Sequence, residues 1–186
     1  VRRQTEMQVD DLQRLAALFI PLSDKDPFFD LSARNAFVGV GGYLAETPEL
    51  PFTLGEIYRQ LTLSPDFVKT FRKHIADREA KGNPLSIQTV SVLNDFMSKS
   101  ENTFEGVKGS ITSHLGLYVN PLVDRATSAS DFDFADLRKR RMTIYVGITP
   151  NNISRLSPLF NLFFQSCVDA NMQELPEHNP DLKYKV

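Results

Sequence analysis

Apolar side chains recur along most of this chain every three or four residues, the spacing that lines up one face of a helix. Val9, Leu12, Leu15, Ala16 and Phe19 make the first stripe and predict a helix over 4–19, stopped by Pro21. A linker, Ser23-Asp24-Lys25-Asp26-Pro27, leads to a second helix over 31–45 with Ala33, Phe37, Val40 and Leu44 on its buried face. Gly39, Gly41 and Gly42 lie inside it, each costing about 1 kcal/mol against alanine, which predicts that another helix approaches closely there. Thr53-Leu54-Gly55-Glu56 has the spacing of a capping box and opens a short helix to Leu61. Ser64-Pro65 starts the next, carrying Phe67, Phe71 and Ile75 and ending near Gly82-Asn83-Pro84. Ile87, Val90, Leu93 and Met97 mark another, and Phe104, Val107, Ile111, Leu115 and Tyr118 predict a long amphipathic helix over 103–119. Short proline-bearing links between such helices are the pattern of a compact bundle.

The period changes after Arg141. Met142, Ile144, Val146 and Ile148 alternate with Thr143, Tyr145 and Gly147, which predicts a strand over 142–148. Thr149 and Pro150 are suited to start a helix over 149–171, with Leu156, Leu159, Phe160, Phe163, Phe164 and Cys167 on its apolar side and a bend or restart at Ser157-Pro158. Only 183–186 reads as the beginning of another strand. A lone strand needs partners for its edges, so the expected architecture is mainly α: a compact multi-helix all-α domain over 1–137, including its connecting segment. To it is joined a small α/β appendage over 138–186, excised from a larger parent sheet. Between them, Phe132 and Phe134 are placed to anchor the connection, and Asp133 to cap the turn after it.

Composition excludes several classes. The chain has 186 residues, is 41% hydrophobic and contains 14 Phe, too apolar for a disordered chain. A net charge of -2 exerts no global pull toward nucleic acid or membrane. One cysteine, Cys167, rules out an internal disulfide framework, fits a reducing compartment, and is expected to be buried among phenylalanines. No apolar run is long enough to span a bilayer.

No catalytic constellation is present. His74, His114 and His178 do not make the HExxH spacing of a helix-borne zinc site, and Asp131 and Asp133 lack complementary ligands, so no metal or cofactor site is assigned. Ser64, Ser110 and Ser166 lack a nucleophile elbow, and GxxxxGK[ST] is absent. The chain is therefore expected to be no enzyme by itself and to neither bind nor hydrolyse ATP. Charge supplies the candidate contacts. Arg138, Lys139, Arg140 and Arg141 form a basic block that could meet phosphate or an acidic partner, or be satisfied by Asp131, Asp133 and Asp136. Arg72 and Lys73, with Arg78 and Lys81, form a second group whose field Asp77 and Glu79 reduce.

The run RKRRMTIYVGITPNNISRLSPLFNLFFQ resembles a segment of the type IV secretion coupling proteins of the TraG/TraD family, just before their Walker B strand. Asp30-Leu31-Ser32-Ala33-Arg34-Asn35-Ala36-Phe37, Thr53-Leu54-Gly55-Glu56, Asn120-Pro121 and the stretch from Ala126 to Phe132 are similar to their all-α domain and its return. The resemblance covers essentially the whole chain, through ordinary residues rather than catalytic signatures. It implies a parent with an inner-membrane anchor, a RecA-like nucleotide-binding domain using ATP and Mg²⁺, and an inserted all-α domain facing the cytoplasm, assembled as a homohexamer against secretion-channel proteins. The P-loop would precede Val1 and the acidic Walker B motif would follow Val186. The implied role is recruitment of a relaxase, a relaxosome accessory protein or a secreted effector, with nonspecific single- or double-stranded DNA contact. A module that only organises the hexamer is the alternative.

Overall fold

The computed structural model describes residues 1–24, 27–172, 174 and 177–184. Lys25 and Asp26 of the expected linker, and Lys185 and Val186 of the expected last strand, lie outside the described residues. The described chain divides into two compact units, Val1–Ser128 and Ala129–Val186.

The first unit is a helical body built around its second helix. Helix α1 (Gln8–Phe19) is followed by α2 (Phe28–Ala45), α3 (Leu54–Thr62), α4 (Phe67–Ala80), α5 (Ile87–Met97) and α6 (Glu101–His114). A 3-10 turn (Gly116–Val119) and a short helix α7 (Pro121–Ala126) complete it. Helix α2 packs most extensively against α1, α5 and α6, and Ala33, Ala36, Phe37, Val40 and Leu44 are buried along it. That central position explains the glycines. A β-carbon on Gly41 would stand 2.6 Å from Leu12 Cδ2 of α1, and one on Gly42 would stand 2.4 Å from Thr89 Oγ1 of α5.

Helix α4 reaches the body through aromatic side chains. Phe67 stacks on Phe71 at 4.2 Å and meets Phe96 edge-on at 5.4 Å, while Phe96 stacks on Phe104 at 4.6 Å. These rings join α4, α5 and α6, and burying each contributes a few kcal/mol. Caps fix where the helices start. Thr53, Asp66, Ser86 and Asn120 accept from Glu56, Lys69, Thr89 and Leu122 amides, and Pro121 takes the first position of α7, where no amide is needed. Asp66 displaces Ser64-Pro65 as the start of α4. The Thr53 box is half made: the buried Glu56 carboxylate accepts from Arg59 and Gln60 rather than from the cap amide. The predicted helix over 103–119 is α6 tightened into 3-10 geometry in its last turn.

The second unit holds a 3-10 turn (Phe134–Arg138), a shorter one (Pro150–Asn152) and the long helix α8 (Ile153–Met172). Asp133 caps the first turn through the Ala135 amide at 2.9 Å. Phe134 lies against Phe163 of α8 at 5.0 Å. Pro158 sits inside a continuous α8, and the Ser154 carbonyl that loses its amide partner accepts from Ser157 Oγ at 3.0 Å instead. The helix does not restart at Ser157-Pro158.

The α/β appendage expected from the sequence is absent. No strand occurs among the described residues, and 141–149 form neither helix nor ladder. Alternation in sequence specifies which face a side chain would take, but a strand exists only through hydrogen bonds to a neighbour. Among the described residues 142–148 meets none, and Tyr145 is 91% exposed. Helix α8 buries no residue fully, so Cys167 is half-buried rather than enclosed.

Candidate functional site

The outer face of α4 is the first candidate. Lys69, Arg72 and Lys73 follow the i, i+3, i+4 spacing that sets three side chains side by side, and all three are exposed. None of their side chains makes a hydrogen bond or ion pair with another described residue. Arg78, counted with them in the sequence, has a structural job. Its guanidinium donates to Asn83 O at 2.7 Å, Thr47 Oγ1 at 3.1 Å and Glu46 O at 3.0 Å, tying the end of α4 to the end of α2. Lys81 is exposed at the end of α4.

His74 points the other way on the same helix. Its ring lies 5.5 Å from that of Tyr43 and 5.9 Å from that of Phe71, and burial pushes its pKa below the ordinary value, against a smaller opposing pull from Asp77. His114 Nδ1 lies 2.8 Å from Ser110 O, and His178 is exposed. No group of His, Cys, Asp or Glu among the described residues could hold a metal ion. Among the described residues, no phosphate-cradling loop and no cluster of carboxylates offers ATP and Mg²⁺ a place.

The second candidate, a polar node at one end of the bundle, carries no signal in the sequence. Glu46, just past α2, accepts through Oε1 from Gln8 Nε2 at 3.2 Å, Ser86 Oγ at 2.7 Å and Thr89 Oγ1 at 2.6 Å. Its Oε2 accepts from the Ser86 amide at 2.7 Å, so the carboxylate covers the positive start of α5. Beside it opens a cleft of about 660 Å³ lined by Gln4, Glu6, Gln8, Glu46, Glu49 and Arg78, among others. Glu46's side-chain partners lie 38 to 43 positions away in the chain, so no local motif could reveal them.

A similar bridge links α3 to α7. Arg59 pairs with Glu56 and Asp124, each at 2.7 Å, and Asp124 sits over Gly55, where a β-carbon would collide with it. These hydrogen bonds raise the Arg59 pKa further, and burial raises that of the neighbouring Tyr118 hydroxyl.

In the second unit the basic block divides by role. Arg138 Nη1 donates to Asn171 O at 2.7 Å and Glu174 O at 2.9 Å, and its own carbonyl accepts from the Lys183 and Tyr184 amides. Arg140 is exposed and pairs with Asp136 at 2.8 Å. Lys139 and Arg141 are exposed and engage no described side chain. Of the three aspartates considered as partners, only Asp136 serves. Arg72 and Lys73 belong to the first unit, and Arg138, Lys139, Arg140 and Arg141 to the second. Among the described residues no helix is long and apolar enough to cross a membrane.

Comparison with known proteins gives these surfaces a setting. The family described as type IV secretory system conjugative DNA transfer matches residues 1–186. Protein VirD4 of Rhizobium rhizogenes is 32% identical over 183 residues, 97% of this chain and 26% of that protein. Protein VirD4 of Agrobacterium fabrum is 32% identical over 173 residues, 92% of this chain and 25% of that protein. Conjugal transfer protein TraG of Escherichia coli is 25% identical over 208 residues, covering all of this chain and 31% of that protein. The chain thus spans about a quarter to a third of the length of these curated relatives. The resemblance drawn from its residues is upheld: the chain belongs to the type IV secretory system conjugative DNA transfer family.

Proposed function

We propose that this chain is the substrate-recruitment module of a type IV secretion coupling protein, whose parent is an inner-membrane, hexameric ATPase. The family description and the name of the TraG relative, a conjugal transfer protein, support the transfer role. The observation that carries recruitment is the α4 face. Lys69, Arg72 and Lys73 project from a helix anchored by Phe67 and Phe71, and no described residue pairs with their side chains. Three cations at fixed spacing suit an acidic surface of a relaxase, accessory protein or effector, or the phosphates of DNA carried with it. Lys139 and Arg141 offer a second, smaller set of phosphate contacts.

The test uses the full-length protein carrying Lys69→Glu, Arg72→Glu and Lys73→Glu together. Transfer of the cognate cargo should fall at least about tenfold while the membrane assembly keeps its size on a native gel, since exposed substitutions leave the fold within about 0.5 kcal/mol. Unchanged transfer would overturn the recruitment role of α4. Loss of assembly would instead assign the helical body to organising the hexamer.

A further inference from the structure

The segment before α1 is held to the body in an unusual way. Residues 1–7 are all exposed, so no buried apolar side chain anchors them. Polar bonds do so instead. The Arg2 amide and guanidinium grip Asp11 at 2.6 to 3.0 Å. Arg3 Nη2 donates to Leu44 O, at the end of α2, at 3.3 Å, and the guanidinium lies 4.8 Å from the centre of the Phe52 ring. The Gln4 amide donates to Gln8 Oε1 at 2.7 Å, and Gln4 takes the left-handed φ of 54° that a residue with a side chain adopts only when its surroundings impose it. Met7, at the cap position of α1, offers no side-chain acceptor, and the Thr5 carbonyl takes the Gln8 amide in its place.

Gln8 connects this strap to the interior. Its side chain is 6% exposed; the oxygen receives the strap and the nitrogen donates to Glu46 Oε1. That same oxygen receives Ser86 and Thr89, and Oε2 receives the Ser86 amide. Gln4, Thr5 and Glu6 also wall the cleft beside the node. The Arg2 bonds to Asp11 are exposed, hence weak in water and further weakened by salt, and the left-handed Gln4 opposes docking.

We propose that residues 1–7 form a releasable strap whose docking is sensed at the start of α5 through the Gln8–Glu46 pair, so that release opens the cleft and loosens the α4–α5 connection together. When the strap leaves, Gln8 loses the bond that orients its amide, and Glu46 loses one of the donors that aim its carboxylate at Ser86.

Amide hydrogen exchange on the 186-residue chain tests this, because the Gln4 amide reports the strap and the Ser86 amide the node. Arg2→Ala with Arg3→Ala should accelerate both by about fivefold, the factor for one lost hydrogen bond, while the Phe104 amide at the start of α6 and the Leu93 amide in the core hold their rates. In a Gln8→Ala background the same pair should leave Ser86 exchange unchanged, since the link is already cut. An accelerated Gln4 with an unmoved Ser86 would overturn the proposal. So would a Ser86 change matched by Phe104 and Leu93, which marks general loosening, or a further Ser86 change in the Gln8→Ala background.

Discussion

Replacing Gly42 with alanine sets two effects of known size against each other. Alanine in a helix interior is worth about 1 kcal/mol over glycine, so an exposed position would gain that much. At Gly42 the new methyl would stand 2.4 Å from Thr89 Oγ1, well inside contact distance. Thr89 is 4% exposed and its hydroxyl is bonded to Glu46 at 2.6 Å, so it cannot turn away freely. Either α2 and α5 separate, an overpacking cost of about 1–3 kcal/mol, or the hydroxyl gives up a bond to a charged group, worth about 1.5–3 kcal/mol. Subtracting the propensity gain leaves a net loss of up to about 2 kcal/mol for Gly42→Ala. Urea unfolding followed by far-UV circular dichroism reads this directly, with the cooperative transition of the helical body as the signal. Thr89→Ala removes the obstructing oxygen and leaves its Cβ 3.3 Å away, so the double variant should be at least about 1 kcal/mol more stable than the two single losses added together. A Gly42→Ala protein more stable than the parent, or losses that add within about 0.5 kcal/mol, would show that α2 and α5 do not meet as described.

Other outcomes follow from the charges. Lys69→Ala, Arg72→Ala and Lys73→Ala together should lower the logarithmic salt slope of single-strand DNA binding by about 2, at about 0.7 per phosphate contact, in fluorescence anisotropy across a salt series. Arg138→Ala removes two bonds to carbonyls around the end of α8, so it should destabilise the second unit by about 1–3 kcal/mol and leave that salt slope unchanged. His74, with its folded pKa below the unfolded value of 6.5, favours the folded state only while neutral. Its contribution is therefore full above pH 6.5 and is lost as pH falls through the folded value, and Asp77 and Lys73 are the charges that tune it. The urea midpoint should drop on acidification, and His74→Phe should flatten that drop.

Much of the helical body was legible because its signals are local. The stripes at Val9 to Phe19 and Phe104 to Tyr118 and the Thr53 cap each act within a turn or two of chain. The glycines of α2 could be read as a close approach, although which helices approach came only from the packing of Leu12 and Thr89. The strand over 142–148 failed for the converse reason, since alternation is local while pairing is not. Glu46 was invisible because Ser86 and Thr89 reach it across 40 and 43 positions. Charge composition likewise could not tell Arg78 and Arg138, which bind backbone carbonyls, from Arg72 and Lys73, which face outward.

The recruitment role turns most directly on equilibrium binding of the 186-residue chain to the purified cognate relaxase, relaxosome accessory protein and secreted effector, measured by biolayer interferometry. One of them should bind saturably, and Lys69→Glu with Arg72→Glu and Lys73→Glu should weaken that binding by at least about tenfold with the circular dichroism spectrum unchanged. Binding of none of the three, or equal binding by the substituted chain, would contradict it.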